Sequence, residues 1–208
     1  MTPHRQLFAC RWLFGRVVSA AFRMIYPTWL TLKLTMCSVG ALLLLAHLFA
    51  LFSGKALQAW LRTFPRSREA GVLLTIAAAT WFYFLVTMMD LGEFSPWRDT
   101  VRWLTPIAGV LSILYMRDFL AVRALGTLAL LLAQPLLESA FLREENSRLL
   151  LVVLTYVWIV AGMFWVGMPY TLRDQIGWVT ASEARWRGAT FAGLGYGAAM
   201  LAAGLFLA

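Results

Sequence analysis

Charge is scarce in this sequence. Of 208 residues only 13% are Asp, Glu, Lys or Arg, about half the roughly 25% found in soluble domains, so a normally solvated surface cannot be built from them. Histidine and cysteine are scarcer, with two of each. Cys10 and Cys37 make neither a CxxC pair nor a disulfide framework. His47 is the one histidine inside an apolar stretch, and haem or metal ligation needs a second strong ligand that His4, outside that stretch, does not offer. Two readings of His47 stay open: a hydrogen-bonded core histidine, or a proton relay, since its side chain titrates near neutral pH.

Catalytic sets are missing as well. The ten acidic residues include one adjacent pair, Glu144 and Glu145, flanked by Arg143 and Arg148 as a solvated charge cluster would be. There is no HExxH, no Ser/His/Asp arrangement and no phosphate-cradling glycine loop in a suitable setting. Gly193-Leu-Gly-Tyr-Gly197 lies in an apolar stretch. These gaps lean against an enzyme and assign no catalytic residue, metal ligand or cofactor. An enzyme acting on lipid or quinone is the least favoured class.

What the chain does contain is long apolar runs of 14 to 21 residues, 61% hydrophobic residues in all and a mean hydropathy of +0.73. A hydrocarbon layer about 30 Å thick asks for about 20 such residues. Within it every backbone N–H and C=O must be paired, which leaves helices or a closed barrel. The roughly ten-residue alternation of a barrel is absent, and the reading is an all-α polytopic membrane bundle. Six spans are expected, at residues 31–52, 70–89, 103–116, 124–137, 149–168 and 188–208. The third and fourth are short. They reach full length only with charged ends that snorkel, or they are broken helices making one crossing together, which would lower the count to five.

Residues 1–30 read as a separate segment, an amphipathic helix lying on the membrane, with residues 31–208 forming the bundle. Arg5, Arg16 and Arg23 share one angle, and with Arg11 they suit anionic headgroups. These arginines also break up any cleavable signal sequence, so the first span is expected to act as an uncleaved anchor. The net charge of +8 is assigned to lipid contact rather than to nucleic acid, because the basic residues sit in the N-terminal segment and in the connectors. Lys and Arg divide equally between the two sides of a six-span arrangement, so the positive-inside rule is tied. The basic N-terminal segment tips both termini weakly towards the cytoplasm. In composition the chain resembles small bacterial inner-membrane proteins in general, which implies that location and nothing about activity.

Two polar stripes are the candidate site. At about 100° per residue, Arg123, Thr127, Gln134 and Glu138 of the fourth span fall within an arc of about 60°. In the second span Thr80, Tyr83, Thr87 and Asp90 recur at spacings of three, four and three. The functional reading is a polar track lined by both spans, with Arg123 holding an anion and Glu138 carrying protons or cations, and Gln134 opposite Thr80, Tyr83 and Thr87 at its centre. The bland reading puts Arg123 and Glu138 at the two membrane boundaries and leaves Gln134 to bond a neighbouring helix. A third pattern, Ala189, Gly193, Gly197 and Gly204 in the sixth span, would let helix backbones approach closely, within the chain or at a dimer seam. The favoured function is a non-enzymatic accessory or assembly subunit of a membrane complex, and the alternative is a small transporter or channel using the two stripes.

Overall fold

The computed structural model describes residues 31–206 apart from 89, 90 and 117. The expected lipid-lying helix at residues 1–30, with Arg5, Arg11, Arg16 and Arg23, lies outside the described residues, as do Asp90 and Arg117. The described chain is helical, with no strand: α1 (Leu32–Phe52), α2 (Gly54–Thr63), a 3-10 turn (Phe64–Arg66), α3 (Arg68–Met88), a second 3-10 turn (Gly92–Trp97), α4 (Arg98–Tyr115), α5 (Leu120–Ala140), α6 (Arg148–Gly167), α7 (Tyr170–Thr180) and α8 (Glu183–Phe206).

Five of these, α1, α3, α5, α6 and α8, are long and apolar enough to cross a membrane, with 20 to 24 residues and mean hydropathy of 1.4 to 2.4. The fourth apolar block, 14 residues in the sequence, belongs to a helix of 21 residues that takes in Arg123 and Glu138 and keeps Pro135 in its interior. The third belongs to α4, 18 residues long, which starts on Arg98, Asp99 and Arg102. The turn between α4 and α5 has neither glycine nor proline. It is made by Phe119, whose φ of 57° lies in the left-handed region, a conformation that strains most side chains.

Long helices pair through small residues. α1 and α8 run antiparallel, with Gly40 against Gly197 and Leu201, and Gly204 against Met36 and Cys37. α5 and α6 cross antiparallel at Gly126 and Gly162. Gly71 of α3 lies against Leu120 and Ala121, so α3 and α5 begin at the same end. α4 runs back antiparallel to α3, with Gly109 beside Ala79 and Arg102 beside Tyr83. The α1–α8 and α5–α6 pairs meet at Leu32, Met36, Leu136, Ala140, Leu151 and Met200. There the Tyr196 hydroxyl donates to the Leu150 carbonyl at 2.6 Å.

The polar groups buried in this interior are Thr35, Thr75, Thr105, Ser139, Thr155, Thr180 and Thr190 among the described residues. Thr75, Thr155 and Thr190 each donate to the carbonyl four residues back, at 2.7, 2.7 and 2.8 Å, so burial leaves these three hydroxyl protons matched. The outer faces are apolar instead, with Leu42, Leu45, Leu73, Val153 and Val160 all more than half exposed. In water such continuous apolar surface is an aggregation hazard. Short helices α2 and α7 pack at one end, where Arg62 donates from Nε to Thr180 Oγ1 at 3.0 Å and from a terminal nitrogen to the Thr180 carbonyl at 2.7 Å. That cation satisfies a carbonyl left orphaned at the end of α7.

Candidate functional site

α4 packs chiefly on α3, and α5 packs on another part of α3, so a wedge remains between α4 and α5. It forms a cleft of about 520 Å³, within the range of roughly 300–1,000 Å³ typical of small-molecule sites. Its walls are Thr75, Ala78, Ala79 and Phe82 from α3, Val101 to Ser112 on one side of α4, Met116 just after α4, Leu120, Arg123, Ala124 and Thr127 at the start of α5, and Val166 of α6. The hydroxyls in this wall are turned back on their own helices: Thr105 donates to the Val101 carbonyl, Ser112 to Ala108 and Thr127 to Arg123. Among the described residues Arg123 is the only charged side chain lining the cleft. Its Nε is buried without a hydrogen-bond partner, and the one contact its guanidinium makes among the described residues is to Met116 Sδ at 4.0 Å.

The two sequence stripes do not share this cleft. From α5 it takes Arg123 and Thr127. Gln134 and Glu138 lie two to three turns further along, where Gln134 Nε2 donates to Glu138 Oε1 at 3.4 Å within the same helix. From α3 the cleft takes Thr75, Ala78, Ala79 and Phe82. Thr80 is exposed, and Thr87 donates to the Phe84 carbonyl at 2.7 Å. Tyr83 turns to α4, where Arg102 lies over its ring at 5.7 Å and donates a long hydrogen bond to its hydroxyl at 3.5 Å. Polarity was the signal for the stripes, whereas the faces that meet are marked by small residues.

His47 and the small-residue stripe of the last span come together. His47 Nδ1 is 2.8 Å from the Leu43 carbonyl, which fixes the proton on that nitrogen. Its ring lies on Gly193, so closely that a methyl group there would overlap it. Gly197 and Gly204 face α1 as well, and Ala189 is exposed. We expect Gly193→Ala to cost about 1 kcal/mol or more through overpacking. In a His47→Ala background most of that cost should vanish, because one clash accounts for it. Thermal melting of the four proteins in mild detergent measures the cycle, and equal costs in both backgrounds would remove His47 as the reason for glycine at 193.

Gly40, Gly71, Gly126 and Gly162, the closest approaches elsewhere in the fold, were not apparent from spacing because none has another glycine four residues away. Trp186 is buried, with its indole nitrogen near Gly54. Among the described residues no cluster of three or more His, Cys, Asp or Glu is placed to hold a metal ion. Comparisons with protein-family models, curated proteins and solved structures find no match to this chain.

Proposed function

We propose that the chain is a non-enzymatic integral membrane protein of six crossings that serves as an accessory or assembly subunit of a larger membrane complex, in a bacterial inner membrane. The observation that carries this reading is α4. It is held to the rest of the fold chiefly by α3, and it leaves Trp103, Ile107, Val110, Leu111 and Leu114 more than 45% exposed along its outer side. An apolar helix secured on one side is the kind of surface that a second membrane helix completes. A transport track receives less support, because Thr80, Tyr83 and Thr87 do not border the cleft that Arg123 and Thr127 line.

The count of six rests on α4, whose 18 residues span about 27 Å and run antiparallel to α3. Its three charges near one end can reach the headgroups by snorkelling. Single cysteines at Phe94 and Asp118, in a background with Cys10 and Cys37 replaced by Ala, should label from opposite sides of the membrane. Labelling from one side would return the count to five. Extraction in mild detergent is expected to yield an assembly well above the 23.4 kDa of the chain, with other membrane proteins in fixed ratio, and Leu111→Trp with Leu114→Trp should disrupt it. Recovery of a lone, stable monomer with no partner would sink the subunit reading.

A further inference from the structure

We infer that the cleft between α4 and α5 is a binding site for one anionic phospholipid, with Arg123 taking the headgroup phosphate and an acyl chain lying between the helices. This rests on the proposed membrane location and is independent of the subunit role.

The unmatched cation is the first reason. An N–H withdrawn from water is costly unless an acceptor replaces the solvent, and no acceptor oxygen reaches the buried Arg123 Nε, while the contact of its terminal nitrogen with Met116 is exposed. The sulfur of Met116 at 4.0 Å is a weak substitute. The neighbouring hydroxyls of Thr105, Ser112 and Thr127 already donate to backbone carbonyls, so the cleft presents one strong, cationic donor group. A planar fork of N–H groups matches a phosphate through two parallel hydrogen bonds.

Depth is the second reason. Arg123 sits in the first turn of α5, which begins at Leu120, so it lies about 5 Å along the helix from its end. That is the level of the headgroups if α5 crosses a bilayer. From Ser112 the cleft continues along α4 to Val101, which is about 16 Å of helix rise, past Ala78, Ala79, Phe82, Leu104 and Ala108. These walls are apolar, as an acyl chain requires.

Width is the third reason. An acyl chain about 4 Å wide, by the contact distance between carbon atoms, fits, with room left at the Arg123 end for the headgroup.

The test uses the full chain, extracted from membranes in detergent, stripped of lipid and titrated with phosphatidylglycerol, phosphatidylcholine, oleate or inorganic phosphate while its thermal unfolding midpoint is followed. Release from the membrane without detergent would refute the membrane location itself, separately from the lipid site. Phosphatidylglycerol should raise the midpoint saturably, at a stoichiometry of one by native mass spectrometry. Arg123→Gln should weaken that binding about tenfold or more, the loss expected for a charge-assisted hydrogen bond. Thr127→Phe keeps the arginine and fills the mouth of the cleft, and it should abolish the lipid effect even if Arg123→Gln fails to fold. The inference is overturned if inorganic phosphate or oleate reproduces the shift at equal concentration. It is also overturned if phosphatidylcholine binds as well as phosphatidylglycerol, or if Thr127→Phe leaves the titration unchanged.

Discussion

Gly126→Leu is expected to separate α5 from α6 and to remove the cooperative unfolding transition in mild detergent. A Cβ at 126 would lie 2.8 Å from the Gly162 carbonyl oxygen and 2.9 Å from Val166 Cγ2, while one at 162 would lie 3.0 Å from the Gly126 carbonyl oxygen. Each glycine is thus pressed on the backbone of the other, and a backbone on the far side of a crossing cannot rotate away as a side chain can. Alanine at either site should cost about 1–3 kcal/mol, the usual range for overpacking, and leucine should cost more. The two alanine substitutions open the same gap, so their joint cost should fall short of the sum by about 0.5 kcal/mol or more. Gly167 has open space around its Cβ position and serves as the control, with Gly167→Ala expected to leave the transition in place. A Gly126→Leu protein that melts like the parent would show that this crossing does not hold the fold together.

The second large effect is a reversal of sign between two glycines of the α1–α8 pair. Gly40→Ala would set a methyl group 2.8 Å from the Leu201 amide nitrogen and 3.0 Å from the Gly197 carbonyl oxygen, and it is expected to destabilise by about 1–3 kcal/mol. Gly195→Ala meets nothing within 4 Å. It is expected to stabilise by about 0.4–1 kcal/mol, because alanine has fewer conformations to lose on folding. Denaturant titration in detergent, following tryptophan fluorescence, compares the two directly. If both substitutions stabilised the protein, helix propensity rather than close packing would govern the pair.

These two pairs show how far a sequence pattern reaches. Gly193, Gly197 and Gly204 stand out from the spacing of the last span, and all three lie against α1. The same spacing drew in Ala189, which is exposed, and it offered no sign that Gly40 is their counterpart. Gly126 and Gly162 each lack a small neighbour four residues away, so nothing local distinguishes them from Gly167, whereas Gly195 has Ala199 at that spacing and yet meets nothing. The stripes on α3 and α5 illustrate a different limit. Thr80, Tyr83 and Thr87 form a regular polar face, yet α3 turns Gly71, Thr75 and Ala78 to its neighbours. A threonine can satisfy its hydroxyl within its own helix, so a polar side chain does not have to face a polar partner, whereas a close crossing always requires a small one.

The sequence by itself determined the helical architecture. Runs of about 20 apolar residues with paired backbone groups have few other ways to exist where water is excluded. Only the tertiary structure decided which glycines are crossing points, that Gln134 and Glu138 bond each other, and that Arg123 borders a cleft between α4 and α5. Those outcomes depend on the rotation of each helix about its axis. That rotation is set by which small residues let two backbones approach, a property of pairs of helices distant in the chain and not of any one segment.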